Sequence, residues 1–251
     1  MFSKFFRRLR YQIGDSARLE AGLRKIFLLT MSTLFLFQGV STAEAQHLPG
    51  IYFISRGVNP NNGTEYTGKV AIQFRGDNVY SAQWKVSDSG EYRGIGFLIG
   101  DTFYVGWSYD PGHTVTVYRV DGGRLSGKFI SEATAEEPGV EELEGPPGLH
   151  GTYKIVKAYG SDGGLEYSGT VGIRKTDETY QVTWWIDNAE YKGVGLLKGN
   201  YFIVSSGTSV GVSCYDIKGD KLFGRWALSD ARIPGVENLE RKKKGQKDQD
   251  I

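Results

Sequence analysis

Hydrophobic and polar residues alternate with a period of two along most of the chain. Between Tyr180 and Ile186, every second residue is large and apolar, and the stretch from Tyr80 to Val86 repeats this alternation. A period of two is typical of β-strands with one buried face, whereas a helix would need a period near 3.6. Turn sequences such as Asp121-Gly122-Gly123 separate the candidate strands. The pattern therefore predicts an all-β protein.

The strand pattern occurs twice. The sequence EYRGIGFLIG at 91–100 returns as EYKGVGLLKG at 190–199, and PGVExLE closes both copies, at 138–144 and 234–240. Agreement in order and spacing over such a length indicates an internal duplication. We predict β repeat 1 at 46–144, a Pro/Gly linker at 145–150, β repeat 2 at 151–240 and a disordered basic tail at 241–251. Seven strands are clear in each repeat, and the closing motif is a possible eighth.

A meander of short antiparallel strands can hide its edges in a barrel or in a two-sheet sandwich. Gly94 and Gly96 share the face of Tyr92, and paired glycines suit a sharply coiled strand in which a neighbouring ring lies over bare backbone. We therefore predict two tandem small antiparallel up-and-down β-barrels of seven to eight strands each, joined by the linker. One larger barrel or a sandwich built from both repeats is the alternative.

The N-terminal segment differs from the repeats. A basic stretch precedes the apolar run Ile26–Val40, and Ala43-Glu44-Ala45 follows it, which is the order of a secretory signal peptide. We expect a signal peptide at 1–45 and export to the periplasm or the extracellular space, with membrane attachment only if this segment stays uncleaved. Residues 1–45 carry a net charge of +4, so their removal takes the formal charge from +1 to −3. A mildly acidic mature protein is not expected to bind nucleic acid.

The motif order within each repeat is G-x-Y, Y-[ST]-G, a central Trp, Y-x-G-[VI]-G and L-x-G-x-[WF]. This order resembles that of a family of exported bacterial proteins built from such repeats. The resemblance covers nearly all of 50–240 and implies export and a β domain, but no activity. By analogy, the fold is compared with calycin barrels such as avidin and the lipocalins. Their first strand opens on G-x-W, where this chain has Tyr52 and Tyr153.

Few residues suggest catalysis or metal binding. His47, His113 and His150 are scattered and Cys214 is the only cysteine, so neither a catalytic triad nor a zinc site is predicted. We interpret the histidines as turn or surface residues and Cys214 as a small buried hydrophobe. The glycine pairs have no following helix to receive a phosphate. We therefore predict a protein that is not an enzyme and that uses no metal or cofactor.

Carboxylates recur in matched pairs, among them Glu91 with Glu190 and Glu141 with Glu237. Two acids across one cleft could hydrolyse a glycoside. However, the first pair should point outward, and the second pair follows Pro-Gly, where a hydrogen bond to the backbone would explain it. An envelope hydrolase is kept only as the last alternative.

Aromatic side chains are the remaining candidates for ligand binding. Eight of them, at matched positions, are expected to line the barrel interiors: Tyr80, Trp84, Tyr92, Tyr118, Tyr180, Trp184, Tyr191 and Tyr215. Such rings usually fill the core of a small barrel, but an interior open at one end would let them hold a ligand. Trp107 and Trp185 lack aromatic counterparts and are expected to be exposed, as on a partner surface.

These patterns predict an exported, non-catalytic binding or interaction module at the cell envelope. Its partner is expected to be a protein or a small molecule. The first alternative is a carrier that holds a small hydrophobic or sugar-like ligand inside an aromatic barrel.

Overall fold

The structure is a computed structural model that describes residues 47–87, 90–134, 137–160, 163–164, 167–243 and 245. The predicted signal peptide and most of the predicted tail lie outside these ranges. Within them the chain forms β-strands and turns, with one 3₁₀ turn at Glu132–Thr134. No helix in the described part of the chain is long and apolar enough to cross a membrane.

The described strands follow the two repeats. Those of the first are β1 (Gly50–Val58), β2 (Glu65–Tyr66), β3 (Gly68–Gly76), β4 (Val79–Val86), β5 (Gly90–Ile99), β6 (Thr102–Ser108), β7 (Thr114–Asp121), β8 (Arg124–Ser131) and β9 (Gly139–Glu144). Those of the second are β10 (Gly151–Tyr159), β11 (Gly169–Thr176), β12 (Thr179–Ile186), β13 (Ala189–Lys198), β14 (Tyr201–Ser206), β15 (Val210–Lys218), β16 (Lys221–Leu228) and β17 (Gly235–Arg241). The closing motifs form β9 and β17, which confirms the possible eighth strand.

The last strand extends beyond its predicted end. Arg241, which the sequence pattern assigned to the tail, belongs to β17. Its guanidinium donates to the carbonyl of Pro49 at 2.8 Å and lies over the ring of Tyr52 at 4.7 Å. The backbone N–H of Lys242 donates to Ile51 at 2.8 Å. The prediction that the disordered tail begins at 241 was therefore wrong.

Two-residue turns set the register of two hairpins. Asp77 and Asn78 join β3 to β4, with φ of 45° and 62°, and Asp187 and Asn188 join β12 to β13, with φ of 49° and 64°. Asn and Asp tolerate this left-handed region better than other residues with a side chain. Two such residues in succession form a type I′ turn, whose twist matches that of the flanking strands.

The strands form two closed, eight-stranded antiparallel barrels. Barrel A has the order β17-β16-β15-β6-β5-β4-β3-β1, and β1 closes it by pairing with β17, while the short β2 adds to β1. Barrel B has the order β10-β11-β12-β13-β14-β7-β8-β9, and β9 closes it by pairing with β10. The prediction of two small antiparallel barrels is confirmed.

The barrels, however, do not coincide with the repeats. Barrel A combines β1–β6 of the first repeat with β15–β17 of the second, and barrel B combines β7–β9 of the first with β10–β14 of the second. The chain crosses between the barrels at 109–113 and again at 207–209. The expectation that the 145–150 linker joins two self-contained repeats was wrong, because this segment connects β9 to β10 inside barrel B.

This exchange of strands is possible because β7 and β15 are equivalent strands of the two repeats. In barrel A, β6 pairs with β15, and in barrel B, β14 pairs with β7. Each junction therefore receives the same alternation of buried and exposed positions that the repeat's own strand would have supplied. Exchange of an identical element between like units costs little, and here both units lie in one chain.

The outer faces of the two barrels pack together near the crossings. One buried cluster contains residues of both barrels: Ile95, Phe97, Tyr104, Val212 and Cys214 from barrel A, and Val115, Val117, Ile130, Val194, Leu196 and Ile203 from barrel B. The interpretation of Cys214 as a small buried apolar residue is confirmed. Burial raises the pKa of its thiol to about 12.

We expect the barrels to stay intact when the chain is cut between β9 and β10. A protease site inserted between Pro147 and Gly148, which are both exposed, would separate the two repeats covalently. Because each half supplies strands to both barrels, the halves should elute together in size-exclusion chromatography and separate only in denaturant. The same chain without protease is the control. Two folded species of half size under native conditions would show that each repeat closes by itself.

Candidate functional site

The eight aromatic residues predicted to line the interiors lie there, but in exchanged groups. Tyr80, Trp84, Tyr92 and Tyr215 pack into the core of barrel A, and Tyr118, Tyr180, Trp184 and Tyr191 into that of barrel B. Tyr118 and Tyr215 have changed places relative to the expectation because their strands, β7 and β15, are exchanged. Tyr191 is partly buried, and the other seven side chains are at most 8% exposed.

Contacts between the rings fill the interiors. In barrel A, Trp84 stacks on Tyr92 with ring centroids 5.1 Å apart and an interplanar angle of 12°. Phe103 lies between Tyr80, at 6.0 Å, and Tyr215, at 6.2 Å. Barrel B repeats this second arrangement around its equivalent phenylalanine. Pairs at such distances stabilise a core beyond the area they bury, so these rings act as packing elements.

A buried carboxylate forms the centre of the polar contacts in barrel A. Glu237 in β17 is 2% exposed and accepts three hydrogen bonds. The hydroxyl of Tyr66 donates to its Oε2 at 2.8 Å, and Oε1 accepts from Trp84 Nε1 at 2.9 Å and from the Tyr215 hydroxyl at 2.5 Å. Tyr66 and Trp84 come from the first repeat, whereas Tyr215 and Glu237 come from the second.

Barrel B contains the matching cluster. Glu141 in β9 is 1% exposed and accepts from the hydroxyls of Tyr118 and Tyr167, the latter at 2.8 Å. The indole of Trp184 also donates to this carboxylate. Here the glutamate and Tyr118 come from the first repeat and the other two donors from the second. We call these two sets the glutamate clusters.

Glycines beside each glutamate make room for the tyrosine rings. Gly57 pairs with Glu237 in the strand ladder, and a Cβ at Gly57 would lie 2.5 Å from the ring of Tyr66. In barrel B, Gly127 pairs with the glutamate, and a Cβ there would lie 2.5 Å from the ring of Tyr118. Only a residue without a side chain lets the ring lie this close to the backbone.

The environment of the glutamates favours a structural role. Burial raises the pKa of both carboxyls above the ordinary value, while the hydrogen bonds from the tyrosines and the tryptophan oppose this rise. A cleft of about 340 Å³ opens beside Tyr66. Glu237 is buried and does not line this cleft, so a molecule in the cleft would meet the tyrosine and not the carboxylate. Each cluster is thus a buried polar network in which the carboxylate oxygens all accept hydrogen bonds.

The burial of these two glutamates was not expected from the sequence. Hydrogen bonds to the backbone after Pro-Gly were the expectation for Glu141 and Glu237. The signal that could have located them is the period of two, which places Glu141 on the face of Leu143 and Glu237 on that of Leu239. Both leucines are fully buried or nearly so. Glutamate is rarely found inside a protein unless it is paired, and its donors lie far away in sequence.

All three histidines lie outside the strands, in agreement with their interpretation as turn or surface residues. His47 and His150 are exposed, but His113 is 2% exposed, and its Nε2 lies 3.0 Å from the carbonyl oxygen of Gly106. Burial lowers the pKa of this imidazole, and the nearby carboxylate of Glu132 opposes the shift. Among the residues that the structure describes, no group of three His, Cys, Asp or Glu side chains could hold a metal ion.

The two unmatched tryptophans lie in different environments. Trp107 is 3% exposed and donates through Nε1 to the hydroxyl of Ser213 at 3.0 Å, so the expectation that it is exposed was wrong. Trp185 is 45% exposed, as expected. It lies on the outer face of β12, where a Cβ at Gly172 would be 2.8 Å from its six-membered ring and its Nε1 donates to Glu190 at 3.3 Å. We call these three residues, Gly172, Trp185 and Glu190, the Trp185 platform.

Removal of the Glu237 side chain should destabilise the protein far more than its conversion to an amide. E237A leaves three buried donors without an acceptor, each at a cost of about 1–3 kcal/mol. E237Q can still accept from Trp84 and Tyr215 and can donate to Tyr66, and it removes a buried acid. Urea denaturation should give a loss of about 3 kcal/mol or more for E237A and less than half of that for E237Q. Equal losses would contradict the assigned hydrogen bonds.

The glutamate clusters should also make stability depend on pH. Both carboxyls have a raised pKa in the folded state, so the folded protein binds more protons than the unfolded chain between the ordinary and the raised pKa. The contribution of these carboxyls to the free energy of unfolding is therefore complete below their ordinary pKa, and it is lost as the pH rises through the raised pKa. The slope is at most about 1.4 kcal/mol per pH unit for each group. Denaturation at several pH values should show this slope in the native protein but not in E141Q/E237Q, and identical slopes would contradict it.

The chain was also compared with known proteins. No family model, no curated protein and no solved structure matches it. Its function must therefore be inferred from its own geometry.

Proposed function

We propose that this protein is an exported, non-catalytic binding module that acts at the cell envelope through the outer surfaces of its barrels. The predicted signal peptide supports export. The packed rings and the satisfied glutamate clusters favour binding outside the barrels rather than within them. Trp185 carries the proposal, because it is a large aromatic side chain held in one position and exposed over 45% of its surface.

The platform holds the indole in place from two sides. The absence of a side chain at Gly172 lets the ring rest on the sheet, and the hydrogen bond to Glu190 fixes its nitrogen. Glu190 in turn pairs with Lys192, with 3.1 Å between Oε1 and Nζ. A fixed indole loses little conformational entropy on binding, and tryptophans of this kind often dominate binding energy.

The polar residues around the indole favour a saccharide as the ligand. The apolar face of a pyranose ring can pack on an exposed indole while its hydroxyls bond to charged and polar neighbours. Glu190, Lys192 and Thr183 supply such neighbours, since Thr183 pairs with Lys192 on the adjacent strand of the same face. A largely apolar contact combined with a few placed polar groups is the usual composition of a small-molecule site.

The two alternatives receive less support. A carrier would need open space among the interior rings, but these rings contact one another and seven of them are at most 8% exposed. A glycoside hydrolase needs two carboxyl groups flanking one bond. In the described part of the chain, each glutamate cluster contains one carboxylate, and both of its oxygens accept hydrogen bonds.

We expect W185A to lower the affinity for pyranose oligosaccharides by about tenfold or more, as for an anchoring tryptophan. G172A should weaken binding without removing the indole, because the new methyl group would displace the ring from its seat. Titration with oligomers of glucose and of N-acetylglucosamine, followed by Trp fluorescence and calorimetry, would measure both effects.

The equivalent position in barrel A supplies the control. Lys85 lies at the position that Trp185 has in the second repeat, and K85A should leave saccharide binding unchanged. If the unmodified protein binds neither oligomer, or if K85A and W185A lose affinity equally, the proposed platform is wrong.

A further inference from the structure

The outer face of barrel A that corresponds to the Trp185 platform carries a different feature. It is a polar cleft of about 260 Å³, whose polar lining residues are Gln73, Arg75, Ser81, Gln83, Arg93 and Glu132. The first five lie on β3, β4 and β5 of barrel A, whereas Glu132 lies in the 3₁₀ turn that follows β8 of barrel B. The cleft, which we call the arginine cleft, is therefore formed where the two barrels meet, a common location for ligand sites.

Its two arginines are available to a ligand. The Nε of Arg75 donates to the hydroxyl of Ser81 at 3.0 Å, which orients the guanidinium and leaves its terminal nitrogens free of that bond. Arg93 is exposed and forms no ion pair with a residue that the structure describes. Gln83 lies directly opposite Arg93 in the strand ladder. Donors from three adjacent strands thus converge on one cleft.

The single acid of the cleft is already engaged. Oε2 of Glu132 accepts the backbone N–H of Gly112 at 2.8 Å and lies 3.7 Å from Nδ1 of His113. Two guanidinium charges therefore face one carboxylate that is bound to a neighbouring loop. The excess of positive charge in a partly enclosed site favours an anion.

The matching face of barrel B is covered by a loop of barrel A. Gln181, at the position of Ser81, donates to the carbonyl of Ser229 at 2.6 Å, and the hydroxyl of Thr179 donates to Ala231 at 2.5 Å. The connection between β16 and β17 thus covers that region. In barrel A the hydroxyl of Ser81 is bound by Arg75 instead. The cleft is a property of one barrel and does not follow from the repeat alone.

The geometry points to a binding site for a small oxyanion, a molecule with carboxylate or phosphate groups, in the arginine cleft. A guanidinium matches either group with two parallel hydrogen bonds. The amides of Gln73 and Gln83 provide both donors and acceptors for the other polar atoms of the molecule. This site is separate from the Trp185 platform and does not depend on the proposed saccharide binding.

Titration of the full mature chain with citrate and, separately, with inorganic phosphate would test the site. Binding should saturate and should shift the side-chain Nε–H resonances of Arg75 and Arg93 in NMR spectra. R93A and R75A should each weaken it about tenfold or more, as expected for the loss of a charge-assisted bidentate contact. R93K keeps the positive charge but loses the two parallel N–H donors of the guanidinium, and it should weaken binding as well. The probe that binds with the higher affinity shows whether the site prefers carboxylate or phosphate groups.

The matched cation in barrel B serves as a control that distinguishes a specific anion site from general attraction to surface charge. Lys192 occupies the position of Arg93 in the second repeat and is exposed, so K192A should bind both probes like the native chain. Melting curves would show that each variant is folded. The inference is overturned if neither probe saturates at millimolar concentration, or if K192A loses as much affinity as R93A.

Discussion

The buried carboxylate of each glutamate cluster is the constraint on which the rest of the structure depends. A buried acid is costly unless donors surround it, and the donors to Glu237 come from β2, β4 and β15. These strands and β17 must therefore meet around one interior, in one register. Because both repeats carry the same four residue types, the cluster would be complete whichever repeat supplied its last three strands. The cluster thus specifies a barrel, but not the exchange.

The exchange must then be decided by the crossings and by the interface they create. The hydroxyl of Ser108 donates to the carbonyl of Thr208 at 2.7 Å, so the end of β6 is bonded to the other crossing. His113 is buried at the end of the first crossing, against the carbonyl of Gly106. The shared apolar cluster packs beside them. Strands of equal pattern can pair either way at similar cost, so these contacts, which belong to two barrels at once, favour the observed arrangement.

The sequence was sufficient for the elements but not for their assignment to barrels. Alternation identified the strands, and the glycine pairs pointed to a barrel, since a Cβ at Gly94 or Gly193 would lie 3.0 or 3.1 Å from the ring of Trp84 or Trp184. The exchange could not be predicted from the sequence, because β7 and β15 have the same alternation of apolar and polar residues. The burial of Trp107 could not be read either. Its acceptor, Ser213, belongs to the other repeat and reaches it only through that exchange.

The interior and outer positions of the barrels differ in how freely their residues can vary. An interior position is constrained by four hydrogen-bonded residues and by the rings packed around them, and both barrels meet this constraint in the same way. On the outer face, one of the differences between the two barrels is a single methyl group. Ala71 occupies the position of Gly172, and a methyl group at Gly172 would lie 2.8 Å from the indole. A tryptophan at position 85 could therefore not rest on barrel A as Trp185 rests on barrel B. The difference between the two faces thus begins with the small residue beneath the aromatic position, alanine in barrel A and glycine in barrel B.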